Sequence, residues 1–183
     1  MSSAESHERA PNESDKPLLL IDIDGVISLF GGPALGGAPD GRSADEAAGS
    51  FHSIDGMLHF LSATAAAHLL DLAPHFELVW CSGWEERADE HLPHLLGLPP
   101  GLPHLRFERA VGRANAHWKL DAIDAYAGER ALAWIDDALG PACREWADAR
   151  RAPTLLVETK PERGLTAPER DLLVAWAQTH AGA

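Results

Sequence analysis

Cysteine and positive charge are both scarce in this 183-residue chain, and each scarcity excludes something. The two cysteines, Cys81 and Cys143, stand among apolar neighbours in a strand pattern and a helix pattern. They read as a pair of buried thiols rather than a disulfide, which points to a reducing, cytoplasmic setting. Lysine and arginine number 15 against 28 aspartates and glutamates, for a formal net charge of -13. Such a balance disfavours a broad footprint on extended nucleic acid or an anionic membrane, so any phosphate binding has to be local. No apolar run approaches the length needed to span a bilayer, and residues 1–16 contain no apolar segment of the signal-peptide kind; they read as a disordered tail. Ten histidines are present, yet no pair has zinc-ligand spacing supported by cysteines or an H-E-x-x-H helix. No internal repeat is visible.

What is present is organised around Leu18-Leu19-Leu20-Ile21-Asp22-Ile23-Asp24-Gly25-Val26. Four consecutive apolar residues read as a strand buried on both faces. Asp22 and Asp24 then fall on the same side of an extended segment at its end, where an apolar interior offers carboxylates no solvation. They need a cation. A calcium loop of the EF-hand kind fits poorly, because Gly25 follows Asp24 directly. An isolated D-x-D-G is as readily a strand entering an acidic turn, so the decision rests on partners downstream.

Partners do appear downstream. Leu78-Val79-Trp80-Cys81 ends in Ser82-Gly83, Lys119 lies in a later helical pattern, and Leu132-Ala133-Trp134-Ile135 ends in Asp136-Asp137. Each polar group follows the carboxyl end of a buried strand or sits near a helix start, where open α/β sheets gather their ligands. After the tail, Lys119 and Lys160 are the only lysines.

The rest of the chain supplies the frame. Gly31 to Gly49 is rich in glycine, proline and alanine and reads as a mobile loop, a candidate lid. Phe51–Ile54 and Met57–Phe60 flank Asp55-Gly56, the signature of a hairpin turn. Ala65–Ala73 has helical spacing and stops at Pro74. A helical pattern starts at Gly83, and Pro93 predicts its division into two short helices. Leu105–Glu108 alternates apolar with charged residues and predicts a third, edge strand. Asn115–Ala127 predicts a helix closed by Gly128, and Ala131–Ile135 a fourth strand. A short helix follows Gly140-Pro141, and Thr154–Val157 is a fifth strand. Thr166–Glu169 matches a capping box opening the last amphipathic helix. The length suits one domain, over 17–183, with a loop and hairpin insert at about 27–62. Periodicity gives a doubly wound α/β sandwich.

Taken together, D-x-D-G, strand-Ser, Lys and strand-Asp-Asp resemble, in order, the four motifs of the haloacid dehalogenase (HAD) superfamily. The Val-Trp-Cys-Ser-Gly-Trp-Glu segment is similar to small bacterial HAD-like phosphatases that lack a large cap. The resemblance implies a mainly parallel five-stranded sheet of order 5-4-1-2-3 with helices on both faces. It also implies a Mg²⁺-dependent phosphomonoesterase in which Asp22 attacks phosphorus, forming an aspartyl-phosphate, while Asp24 serves as acid and then base. Ser82, Gly83 and Lys119 would hold the phosphoryl oxygens, and the metal would draw on Asp22, Asp24, Asp136 and Asp137. The implied substrate is a small phosphorylated compound or the exposed phosphate end of a larger one. Two rival readings stand beside this: an idle HAD fold used as an interaction module, and a phosphatase of nucleic-acid ends. Trp84 is read as a packing residue in preference to a stacking platform. Lys160 and Arg163 fall in a loop after the fifth strand, at the edge where substrate would lie.

Overall fold

Leu18–Ile21 forms β1, and all four of its side chains are wholly buried. In the computed structural model, which describes residues 16–31, 48–108 and 115–180, β1 lies at the middle of a parallel sheet. β5 (Glu77–Trp80) pairs with one edge of β1 and β6 (Leu132–Asp136) with the other, and β7 (Thr154–Glu158) pairs with β6. Alternation along β1 sends Leu19 and Ile21 to one core and Leu18 and Leu20 to the other, as the twofold period of a strand requires. The first core takes Leu69 and Leu72 of α1 (Ala63–Leu72), Leu92 of α2 (Arg87–Leu96) and Leu173 and Ala177 of α5 (Ala167–His180). The second takes Ile123 and Ala127 of α3 (Leu120–Ala127) and Cys143 of α4 (Pro141–Ala149). Cys81 and Cys143 are free and buried. Burying one such leucine contributes roughly 1.5–3 kcal/mol, so two filled faces fix β1 firmly as the central strand.

Between β1 and α1 the chain builds a second, antiparallel sheet. β3 (Gly49–Ile54) and β4 (Met57–Ser62) form a hairpin about Asp55-Gly56, and β2 (Ser28–Leu29) pairs with β4 on its other side. Asp55 and Gly56 take φ of 50° and 79°, the left-handed pair that a tight hairpin turn requires. Ser62 ends β4 and caps α1, its hydroxyl accepting from Ala65 N–H at 3.0 Å. Glu169 reaches back to the Thr166 N–H at 3.1 Å, one half of the capping box at the start of α5. The tail, apart from Lys16, and residues 32–47 of the candidate lid lie outside the described residues.

Two expectations are corrected. Leu105–Glu108 forms no strand; the sheet edge carries instead a single parallel bridge between Trp80 and His104. Trp80 N–H donates to Pro103 C=O at 2.8 Å and Leu105 N–H to Trp80 C=O at 2.9 Å. The proline at 103 brings no donor, and Leu105 alone of the stretch is fully packed into a core, so pairing does not propagate. Among the described residues the sheet therefore has four strands, in the order β5-β1-β6-β7. Second, Pro93 does not divide its helix. α2 runs through it because Ala88 and Leu92 anchor the helix to the core, and it ends at Gly97 in the left-handed conformation, φ 69°. One intrahelical bond is forgone. No helix among the described residues is long and apolar enough to cross a membrane.

Candidate active site

Parallel register delivers the acidic groups to one edge. Ile21 stands level with Trp80 on one side and Ile135 on the other, so the residues that follow emerge together. Asp22 N–H donates to Ile135 C=O at 3.0 Å, and Cys81 N–H to Ile21 C=O at 2.8 Å. Asp22, Asp136 and Asp137 each offer a carboxylate oxygen, and these oxygens all lie within 4.8 Å of one another. Glycine at position 25 is what allows Asp137 in: φ there is +74°, and a Cβ would stand 2.4 Å from the Asp137 Cγ.

Lys119 reaches the same place from below. It ends a single 3₁₀ turn, His117–Lys119, that leads into α3, where the sequence pattern had predicted one continuous helix from Asn115. Its ammonium lies 3.0 Å from Asp22 Oδ1 and donates to Asp136 Oδ2 at 2.6 Å. Lys119 is 3% exposed and Asp136 1%, so this is a desolvated ion triad, in which each charge is tolerable only because the others are present. Burial works against the lysine's charge, but Asp22, Asp136 and Cys81 outweigh it and hold the ammonium protonated well above the usual range. Burial pushes Asp22 up to about 7 against the pull of Lys119, with Asp136 adding to the rise. Asp137 is pushed up to about 6, by burial first and by Asp136 next. A site that raises carboxylates in this way lacks positive charge.

Ser82 and Gly83 follow β5 at the same edge. Ser82 does not cap α2, whose first turn begins at Arg87; it opens a turn instead, accepting Glu85 N–H on its carbonyl at 3.0 Å. Its hydroxyl is buried, at 3.5 Å from Trp84 N–H, a long contact that leaves it largely uncommitted. Glu85 occupies the left-handed region with φ 48°, and its carboxylate accepts Phe107 N–H at 3.0 Å. That contact ties the chain beyond the sheet edge to the turn.

Asp22, Asp24, Ser82, Gly83, Lys119, Asp136 and Asp137 all line one cleft of about 720 Å³. The hairpin forms its far wall through Ile54, Met57, Leu58 and His59, and Arg87 bonds Asp55 at the hairpin's turn. Asp24, the fourth aspartate of the expected metal set, lines the same cleft outside that close cluster of three, and its carboxylate accepts from the Trp84 indole N–H at 3.2 Å. Trp84 is 7% exposed, as a packing residue would be, yet its polar atom is turned to the site. Lys160 and Arg163 do not line the cleft. Their loop is a turn packed on the segment after β1, with Leu165 N–H on Val26 C=O at 3.0 Å and Gly164 so close to that carbonyl that a Cβ would stand 2.3 Å away.

The sequence places Thr159 at the start of the Thr159–Thr166 loop on the active edge but gives it no role of its own. Its side chain is buried and donates to Gly25 C=O at 2.8 Å, joining the end of β7 to the turn that carries Asp24. A threonine one residue past a strand gives no signal of such a role; only the order β1-β6-β7 brings it there.

The site's donors are all carboxylate oxygens, the set that hard divalent cations prefer. No curated protein and no solved structure matches the chain. A family model described as "HAD domain in Swiss Army Knife RNA repair proteins" matches residues 18–169, which contain every residue of the site. The chain belongs to that family, and through it to the haloacid dehalogenase superfamily.

Proposed function

We propose that the protein is a Mg²⁺-dependent phosphomonoesterase that works through an aspartyl-phosphate on Asp22 and acts on the exposed phosphate end of a larger molecule, with RNA ends first in line. The convergence of Asp22, Asp136, Asp137 and Lys119 at the bottom of a cleft, with Asp24 on the same turn, carries this reading. A fold used only as a scaffold gains nothing from two buried carboxylates, a third half-buried beside them and a buried lysine, because such charges are expensive to desolvate. The choice of RNA rests on the family's description, and the choice of an end rests on charge. Arg87 at the rim is engaged by Asp55, and with a net charge of -13 the surface repels a long phosphodiester backbone.

In this scheme the Asp22 carboxylate attacks phosphorus in line with the ester oxygen, and Asp24 gives that oxygen its proton as the P–O bond breaks. The acyl phosphate on Asp22 is then attacked by a water whose proton passes to the Asp24 carboxylate. Inorganic phosphate leaves, and both residues return to their first state. The Ser82 hydroxyl, the Gly83 N–H and the Lys119 ammonium hold the phosphoryl oxygens throughout. Asp22, Asp136 and Asp137, with a backbone carbonyl and waters, would hold Mg²⁺, which supplies the positive charge that a dianionic phosphate needs beside carboxylates. Lys119 alone neutralises one of the three.

Phosphate release from 4-nitrophenyl phosphate, and then from 5′- and 3′-phosphorylated oligoribonucleotides, tests the proposal. Release should require Mg²⁺ and should differ little between short and long oligonucleotides. Binding of phosphorylated ends without turnover would favour the idle interaction module.

A further inference from the structure

Asp24 is held differently from the other aspartates of the site. Asp22 and Asp136 share the Lys119 ammonium, whereas Asp24 Oδ2 accepts a neutral N–H from Trp84 at 3.2 Å. An indole N–H only donates. It can bond a carboxylate oxygen or the carbonyl oxygen of a protonated acid, but it can never take the acid's proton. When Asp24 is protonated, the carbonyl oxygen is the better acceptor for that N–H, which favours the proton on Oδ1, the oxygen Trp84 does not touch.

The indole has little freedom to let go. His59 packs against it edge to face, with ring centroids 4.9 Å apart and planes at 71°, and the Arg87 guanidinium lies 5.9 Å from its centroid. His59 is itself fixed, since its Nδ1 and the buried Ser28 hydroxyl are 3.0 Å apart. Ser28 closes the circuit: its carbonyl accepts Gly25 N–H at 2.7 Å, and it forms a bridge with Asp24. Asp24, Ser28, His59 and Trp84 thus form a ring of contacts drawn from the turn after β1, from β2, from β4 of the hairpin and from the turn after β5.

We propose that Trp84 is a positioning residue that fixes the Asp24 carboxyl group so that Oδ1 presents its proton to the leaving oxygen. The inference rests on the assignment of Asp24 as the acid. Its consequence is a dependence on the leaving group. An alkoxide needs a proton to depart, and 4-nitrophenolate does not, so a misaligned acid harms the first far more than the second.

Trp84→Phe keeps an aromatic ring against His59 and removes the N–H. The value of kcat/KM, which covers steps up to loss of the leaving group, is measured at saturating Mg²⁺ for an alkyl phosphate and for 4-nitrophenyl phosphate. We expect it to fall roughly tenfold further for the alkyl ester. In an Asp24→Asn background the same substitution should have no further effect on the alkyl ester, because the two residues act as a unit. Parallel losses on both esters, or effects that multiply in the double variant, would leave Trp84 as packing alone and overturn the proposal. Wild-type protein inert toward both esters would overturn the phosphatase reading itself. A second measurement keeps Trp84 in place: among the proton resonances of the six indole N–H groups, one should move on Asp24→Ala, and a spectrum in which none moves rejects the hydrogen bond.

Discussion

The Lys119 ammonium stands 3.0 Å from Asp22 Oδ1 and 2.6 Å from Asp136 Oδ2, one buried cation between two buried acids. Removing it strands both. We predict that Lys119→Met, which keeps most of the volume, lowers the unfolding free energy of metal-free protein at pH 8 by roughly 3 kcal/mol. Mg²⁺ should restore part of that loss. Urea unfolding with and without Mg²⁺ measures both, and an unchanged midpoint in the metal-free variant would show that the triad carries no strain.

Asp22→Asn should remove turnover of 4-nitrophenyl phosphate, by a factor on the order of 10⁴ or more, in a protein that stays folded. The substitution deletes the nucleophile and leaves the shape. Near wild-type turnover in the variant would mean that another group attacks phosphorus.

The raised carboxylates give a pH dependence with a definite sign. Asp22, up from 3.8 to about 7, and Asp137, up from 3.8 to about 6, keep protons in the folded state that the unfolded chain has already released. Their contribution to stability is complete below about pH 4 and is lost as pH rises through 6 and 7, by as much as about 1.4 kcal/mol per group and pH unit. Mg²⁺ binds the ionised carboxylates and competes with those protons. Its stabilisation, roughly 2.7 kcal/mol at 100 times Kd, should therefore be larger at pH 7.5 than at pH 5.5. Thermal midpoints at the two pH values, each with and without Mg²⁺, decide it, and a shift that ignores pH speaks against these ligands.

Gly25→Ala and Gly56→Ala separate backbone strain from collision. Both glycines have φ above +70°, but a Cβ at 25 meets Asp137 while one at 56 meets nothing within 4 Å. Each substitution should cost about 1 kcal/mol for the left-handed backbone. Only Gly25→Ala should weaken Mg²⁺ binding as well, by roughly tenfold, since it displaces a ligand. Calorimetric titration of the two variants with Mg²⁺ measures this, and equal affinities would remove Asp137 from the metal set.

Much of this site can be read from the sequence because its residues sit where an apolar run stops. Leu18–Ile21 and Leu132–Ile135 are uninterrupted, so Asp22 and Asp136 mark their own strand ends, and parallel pairing does the rest. Contacts across turns carry no such mark. The bond from Trp84 to Asp24 depends on a turn in which Glu85 adopts φ 48°, and nothing in the local pattern announces that. Alternation at Leu105–Glu108 suggested a strand, but an edge position with one packed residue leaves pairing to a single bridge. Pro93 suggested a break, and burial of Ala88 and Leu92 overrode it. In each case tertiary packing decided between options that local preference left close in energy.

The strand order also bears on how the chain is made. Leu18 pairs with Glu77 on one side and Leu132 on the other, so the most apolar strand is synthesised first and waits longest for its neighbours. An uncharged strand with open edges is a template for unwanted association between chains. This one is bracketed by Lys16 and Pro17 before it and by Asp22 and Asp24 after it, the kind of residues that interrupt such association. Refolding of Asp22→Val, followed by light scattering, should show more aggregation than wild type even if the folded variant is the more stable of the two. On this reading the aspartates of the cleft serve the nascent chain as gatekeepers before any cleft exists.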